Sequence, residues 1–107
     1  MSSRFNIVGR HVEVTPALDT YIRHKLGKVE STFDIVTNIN VIVTVEKHTQ
    51  KAEAEVRVAG DRNSIFAESS TDDMYKSVDE LENKIMRQVK DYHARMIERK
   101  EHREKDL

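Results

Sequence analysis

The sequence predicts an α+β domain of order β-α-β-β-β-α, a four-stranded sheet with two helices packed on one face. Three observations carry this. Two segments, 16–33 and 73–98, space their apolar residues three and four apart, the period of an α-helix. The block 38–59 alternates apolar and polar residues with the period of a strand. Turn-forming residues separate the segments, and 107 residues suffice for one domain with one modest core.

Arg4 to Gly9 alternates as a short strand with Phe5 and Ile7 inward. Thr15-Pro16 then reads as N-cap and first residue of a helix, because proline's missing N–H costs nothing there. Leu18, Ile22, Leu26, Val29 and Phe33 form its apolar stripe. Tyr21, His24, Lys25 and Lys28 lie on one flank, and Asp19, Arg23 and Glu30 lie opposite. Asn38 to His48 is the clearest strand: Ile39, Val41, Val43 and Val45 point one way, and Asn40, Ile42, Thr44 and Glu46 the other. A turn at His48-Thr49-Gln50 leads into Lys51 to Ala59, where Ala52, Ala54, Val56 and Val58 point inward. Gly60 to Asn63 is turn chemistry, and Ser64 to Ser69 is a fourth strand with Ile65 and Ala67 inward. Ser70-Thr71-Asp72-Asp73 supplies the cap and first-turn acids of the last helix.

That helix, Asp73 to about Glu98, organises the chain. Met74, Val78, Leu81, Ile85, Val89, Tyr92 and Met96 fall within about 80° of arc. At about 26 residues it spans roughly 39 Å, so its C-terminal end is expected to overhang a small sheet. Lys84, Arg87, Gln88 and Arg95 lie beside the stripe on one flank, interrupted by Asp91, while Glu82, Met86 and His93 take the other. Relative to its own stripe, this basic flank is on the same angular side as Lys25 and Lys28 of the first helix. The two helices are therefore expected to frame a shared basic groove if their relative direction allows it. Domain organisation is expected as one unit, 1–98, followed by a charged, frayed tail, 99–107.

The net charge is −1, yet Lys84 to Lys105 holds eight Lys/Arg and four Asp/Glu. That is +4 locally and −5 over the remainder, a polarity that lets a basic surface meet phosphate on an otherwise acidic molecule. The plainer reading is a solvated helix laced with i,i+4 pairs such as Lys100 and Glu104.

Catalysis finds little support. There is no cysteine, no phosphate-binding loop and no nucleophile motif. The histidines at 11, 24, 48, 93 and 102 lack the spacing of a metal pair, so neither metal nor cofactor is expected. Glu53 and Glu55 share a strand face as a carboxylate dyad would, but Lys51 and Arg57 on that face predict cross-strand ion pairing instead. No secretory signal and no apolar run of about 18 residues is present, so no membrane partner is expected.

Several stretches resemble the ribosome hibernation promoting factors. They are Ile7-Val8-Gly9, Val12 to Leu18, Lys25-Leu26-Gly27-Lys28-Val29-Glu30, Val45-Glu46-Lys47, and Asp73-Met74-Tyr75 continuing through Val78-Asp79 to Lys84 and Arg87-Gln88. The similarity runs in order over nearly the whole chain, and the length is similar to that of the short members. The resemblance implies a cytoplasmic, ribosome-associated protein that binds the small ribosomal subunit and its 16S rRNA, and the 70S ribosome, in the channel used by tRNA and mRNA. It also implies action with ribosome modulation factor to favour inactive ribosome dimers. Related proteins of the protein Y type stop translation and oppose dimers. Carried over by position, Lys25, Lys28, Lys84, Arg87 and Gln88 are rRNA-contacting candidates, with His24, Lys90 and Arg95 beside them. Asp91 stands where the resemblance leads one to expect lysine, which either weakens the groove or is compensated by Arg95 and Lys90. The loop Gly60 to Asn63 looks longer than in short relatives. Tyr21 and Tyr75 read equally as base-stacking or packing residues. Two rival classes stay open: a duplex-RNA-binding module, and a protein-interaction domain whose charges only solubilise it.

Overall fold

The computed structural model describes residues 4–60 and 64–105, the last stretch from 98 as backbone alone. The elements are β1 (Arg4–Arg10), α1 (Pro16–Thr32), β2 (Val36–Glu46), β3 (Thr49–Val58), β4 (Ser64–Thr71) and α2 (Met74–Lys105). The sheet order is β1-β2-β3-β4, with β1 and β2 parallel and the other pairs antiparallel. The β-α-β-β-β-α order and four-stranded sheet agree with the sequence reading. Both helices cover one face: Leu18, Ile22, Leu26 and Val29 of α1 and Val78, Leu81, Ile85 and Val89 of α2 share one core with Ile39, Val41, Val43 and Val56.

Side-chain size sets where each helix rests. Beneath α2, which packs on β3 and β4, the sheet is floored by Ala52, Ala54 and Ala67, the last two directly opposite each other. Beneath α1, β2 presents the larger Ile39, Val41 and Val43. Small residues let the backbone of α2 approach closely, and Leu81 and Ile85 fill the space that remains.

Local chemistry fixes the helix starts. Thr15 caps α1, its hydroxyl accepting from the Leu18 N–H at 3.2 Å, with Pro16 behind it. Asp73 lies just outside α2 as its N-cap and accepts from the Tyr75 N–H at 2.9 Å. The first turn itself carries no acid, and Thr71 belongs to β4, which corrects the expected start at Asp73. Gln50 of β3 ties this corner: its side-chain oxygen accepts from the Met74 N–H, and its backbone carbonyl accepts from buried Ser77 at 2.6 Å. The Ser77 hydroxyl also meets that of Thr71 at 2.7 Å.

The strand bounds shift for identifiable reasons. β2 begins at Val36 and not Asn38, because a register irregularity between the two breaks the alternation. The β2–β3 loop is Lys47-His48, with Glu46 paired to Thr49 and Lys47 at φ 53°, so β3 starts at Thr49. Lacking Gly or Asn, this turn has no sequence signature. α2 continues to Lys105, past the expected end near Glu98. Asp61 to Asn63, which include most of the loop expected to be long, and Asp106 and Leu107 lie outside the described residues.

Gly9 is the next-to-last residue of β1. A Cβ there would stand 2.4 Å from the backbone oxygen of Val12 and 3.0 Å from a methyl of Val14. Backbone cannot rotate aside as a side chain can, so Gly9→Ala is expected to cost about 1–3 kcal/mol. Urea unfolding checks this, and an unchanged midpoint would refute it.

Candidate nucleic-acid interface

The relative direction of the helices decides the site. α1 runs antiparallel to β1 and β2, and α2 runs back along β4, which is parallel to β2, so α1 and α2 are parallel. Contacts climb both helices together, from Tyr21 with Tyr75 and Asp79 to Phe33 with His93. In parallel helices on one sheet face, matching flanks point the same way. The basic flank of α1 therefore faces α2, while the basic flank of α2 points outward past β4. The single shared groove expected from sequence does not form; it would require antiparallel helices.

The seam between the helices is instead an ordered polar and aromatic contact. The Tyr21 hydroxyl donates to Asp79 Oδ1 at 2.5 Å, and Lys25 Nζ lies 3.5 Å from the same oxygen. The lysine also sits over the Tyr21 ring, 5.6 Å from its centroid. Tyr21 meets Tyr75 edge to face at 4.9 Å, so Tyr21 packs while Tyr75 leaves 41% of its surface exposed. Lys25 is thus committed to an internal carboxylate, with a side chain only 26% exposed.

On the outer flank, Lys84 Nζ donates to the Glu68 carbonyl at 2.8 Å and Gln88 Nε2 to the Phe66 carbonyl at 3.0 Å. Both acceptors belong to the unpaired edge of β4. These side chains close that edge against further strand pairing and still lie exposed at the surface. Arg95 is exposed and reaches back to the Asp91 carbonyl at 3.4 Å, so it does not neutralise the Asp91 carboxylate. Lys28, Arg87, Lys90 and His24 are exposed, and no ion pair holds the three cations among the described residues. Lys76, overlooked in sequence, is exposed on the solvent side of α2 alongside Arg87 and Lys90. Its position about 200° around the helix from Met74, on the face opposite the apolar stripe, was the available signal. The outward cations therefore run from the backs of the helices over the β4-side flank of α2 and do not frame a groove between the helices.

Asp79 shapes the acid–base behaviour of the seam. Its hydrogen bond, with partial burial and the charges of Asp79, Glu82 and Asp73, pushes the Tyr21 hydroxyl up from 10.0 to about 12. A raised folded value means that the folded chain holds this proton longer than the unfolded chain does. The stabilisation is fully present below about pH 10 and is lost as pH rises toward 12. An absorbance titration of tyrosinate is expected to show a late phase near pH 12 that Tyr21→Phe removes. Persistence of that phase in Tyr21→Phe would move the assignment to another tyrosine.

A small α+β domain with an uncovered sheet face and a cationic ridge along two parallel helices is the class that the geometry defines. Residues 5–97 match the family described as Sigma 54 modulation protein / S30EA ribosomal protein. The chain belongs to this family. It is 46% identical over 85 residues to the ribosome hibernation promoting factor of Pseudomonas putida, covering 79% of this chain and 81% of that one. The Azotobacter vinelandii protein of the same name is 38% identical over 96 residues, 90% of this chain and 88% of its own. Among solved structures, a ribosomal subunit interface protein from Coxiella burnetii superposes with a TM-score of 0.78 at 32% identity, over 85% of this chain and 98% of that one. The N-terminal domain of Thermus thermophilus Protein Y shares the fold, with a TM-score of 0.75 at 23% identity, over 85% and 99% of the two chains.

Proposed function

We propose that this protein is a ribosome hibernation factor that acts by occlusion: it binds the small ribosomal subunit in the tRNA and mRNA channel, against 16S rRNA, and holds the ribosome inactive. The observation that supports this most is the family match over residues 5–97, with relatives named for ribosome hibernation. The exposed cations give the reading a physical basis. Lys28, Lys76, Arg87 and Lys90 present donors over the helix backs, and Lys84, Gln88 and Arg95 present them along the β4-side flank of α2, to meet the phosphates and 2′-hydroxyls of structured RNA. His24 stands beside them on α1, and Lys25 serves mainly to hold the seam. Cooperation with ribosome modulation factor in forming inactive ribosome dimers belongs to the same proposal.

Sucrose-gradient sedimentation with small subunits and 70S ribosomes tests it. The protein is expected to migrate with both at low salt and to be released as salt rises, because each phosphate neutralised frees condensed counterions. A chain that stays at the top of the gradient even at low salt would sink the ribosome reading and favour the protein-interaction class. Equal affinity for naked duplex RNA would favour the duplex-RNA class.

A further inference from the structure

We infer that the open face of the sheet is a docking surface for a basic, extended protein segment that presents arginine beside an aliphatic side chain. The helices cover one face only. On the other, strand register sets side chains in rows: Val8, Ile42, Glu53 and Glu68 form one central row, and Asn6, Asn40, Glu55 and Phe66 the next. The cations of this face, Arg4, Arg10, Lys51 and Arg57, stand in the rows outside these two. The centre therefore carries three carboxylates and three apolar side chains, with no cation of its own.

Two features of this centre are costly for an isolated domain. Val8 and Phe66 are each 52% exposed, next to the half-buried Ile42. Glu53 also stands directly opposite Glu68, and like charges in facing positions repel. Arg57 lies 3.5 Å from Glu55, but no ion pair reaches Glu53 or Glu68 among the described residues. An arginine placed between Glu53 and Glu68 would relieve the repulsion while its stem covers Phe66.

The shape agrees with a side chain as occupant. Asn40, Ile42, Glu53, Glu55 and Phe66 line a shallow depression of about 210 Å³. That is below the ~300–1,000 Å³ typical of small-molecule sites. Carboxylates around the exposed aromatic ring disfavour RNA phosphate. Strand addition at β4 is blocked by Lys84 and Gln88, so a segment that reaches Glu53 and Glu68 from that side lies across the face and not along that edge. This surface is opposite the helix ridge, and the inference does not depend on ribosome binding.

The test is a titration of the full, ¹⁵N-labelled chain with the synthetic peptide Gly-Ile-Arg-Val-Arg-Gly, followed by NMR at low salt. Amide shifts are expected at Val8, Ile42, Glu53 and Phe66, and not at Arg87 or Lys90. The double variant Glu53→Gln/Glu68→Gln is expected to weaken binding about tenfold or more. Its melting temperature should hold or rise, since the facing charges are gone. Phe66→Ser, which alters an exposed position, should weaken binding in the same way. No shifts, shifts confined to the helices, or unchanged affinity in the double variant would overturn the proposal. Sheet-face shifts with an oligouridine in place of the peptide would make the face an RNA surface. Concentration-dependent shifts without peptide would make it a self-association surface. Either result also overturns it.

Discussion

Changing Lys28, Lys84, Arg87 and Arg95 together to glutamine is expected to make the salt dependence of small-subunit binding much shallower. Each lost phosphate contact lowers the slope of log affinity against log salt by about 0.7–0.9, so four contacts remove about three units. At low salt the affinity should fall by roughly a hundredfold or more, while the fold survives, since all four side chains are exposed. Glutamine at 84 keeps a donor near the Glu68 carbonyl that the lysine now engages. Lys25 is left out on purpose, because its pairing with Asp79 would mix a seam effect into the measurement. Lys25→Gln alone is expected to change the slope by less than any outward cation. Gradient sedimentation across salt reads both variants. If the quadruple variant keeps the parent's slope, the helix ridge is not the RNA-facing surface, whatever the ribosome does with the rest of the molecule.

Leu81→Ala is expected to cost about 2–5 kcal/mol, near the upper end of that range. Leu81 is fully buried in α2. Beneath α2 the sheet is floored by Ala52, Ala54 and Ala67, short side chains that have no further atoms to move into a cavity. The other large core residues, among them Ile22, Leu26, Ile39 and Ile85, are themselves fully buried. Against a total stability of about 5–15 kcal/mol for a domain of this size, such a loss leaves a marginal fold. Met96→Ala provides the contrast: that side chain is 39% exposed, beyond the buried stretch of α2, and should change stability by less than about 0.5 kcal/mol. Urea denaturation compares the two. Equal midpoints for both variants would mean that α2 is held by something other than its packing on the alanine floor.

Most of the fold was legible because periodicity and burial coincide. The stripe from Val78 to Val89 and the alternation from Ile39 to Val43 are buried as read. Misplaced boundaries occurred where an irregular residue broke the period, as at Thr37, or where a turn lacked glycine and asparagine, as at Lys47-His48. Among the described residues the pairing expected of Glu53 is not found either: Arg57 pairs along its own strand with Glu55, and Glu53 faces Glu68. Strand register, invisible in a single strand's alternation, decides such partners.

The candidate site divides in the same way. By itself, the sequence determined which residues belong to each helix flank, since that follows from 100° per residue and needs no neighbour. It also determined the family, through residues spread along the chain. Only the tertiary structure decided which flanks meet. The parallel β1–β2 pair and the return of α2 along β4 make the helices parallel, so the cationic flanks point the same way instead of toward each other. That one direction turned Lys25 inward to Asp79 and sent Lys84 and Gln88 over the β4 edge. A helical wheel fixes angles about its own axis, and the sheet beneath it fixes where that axis points.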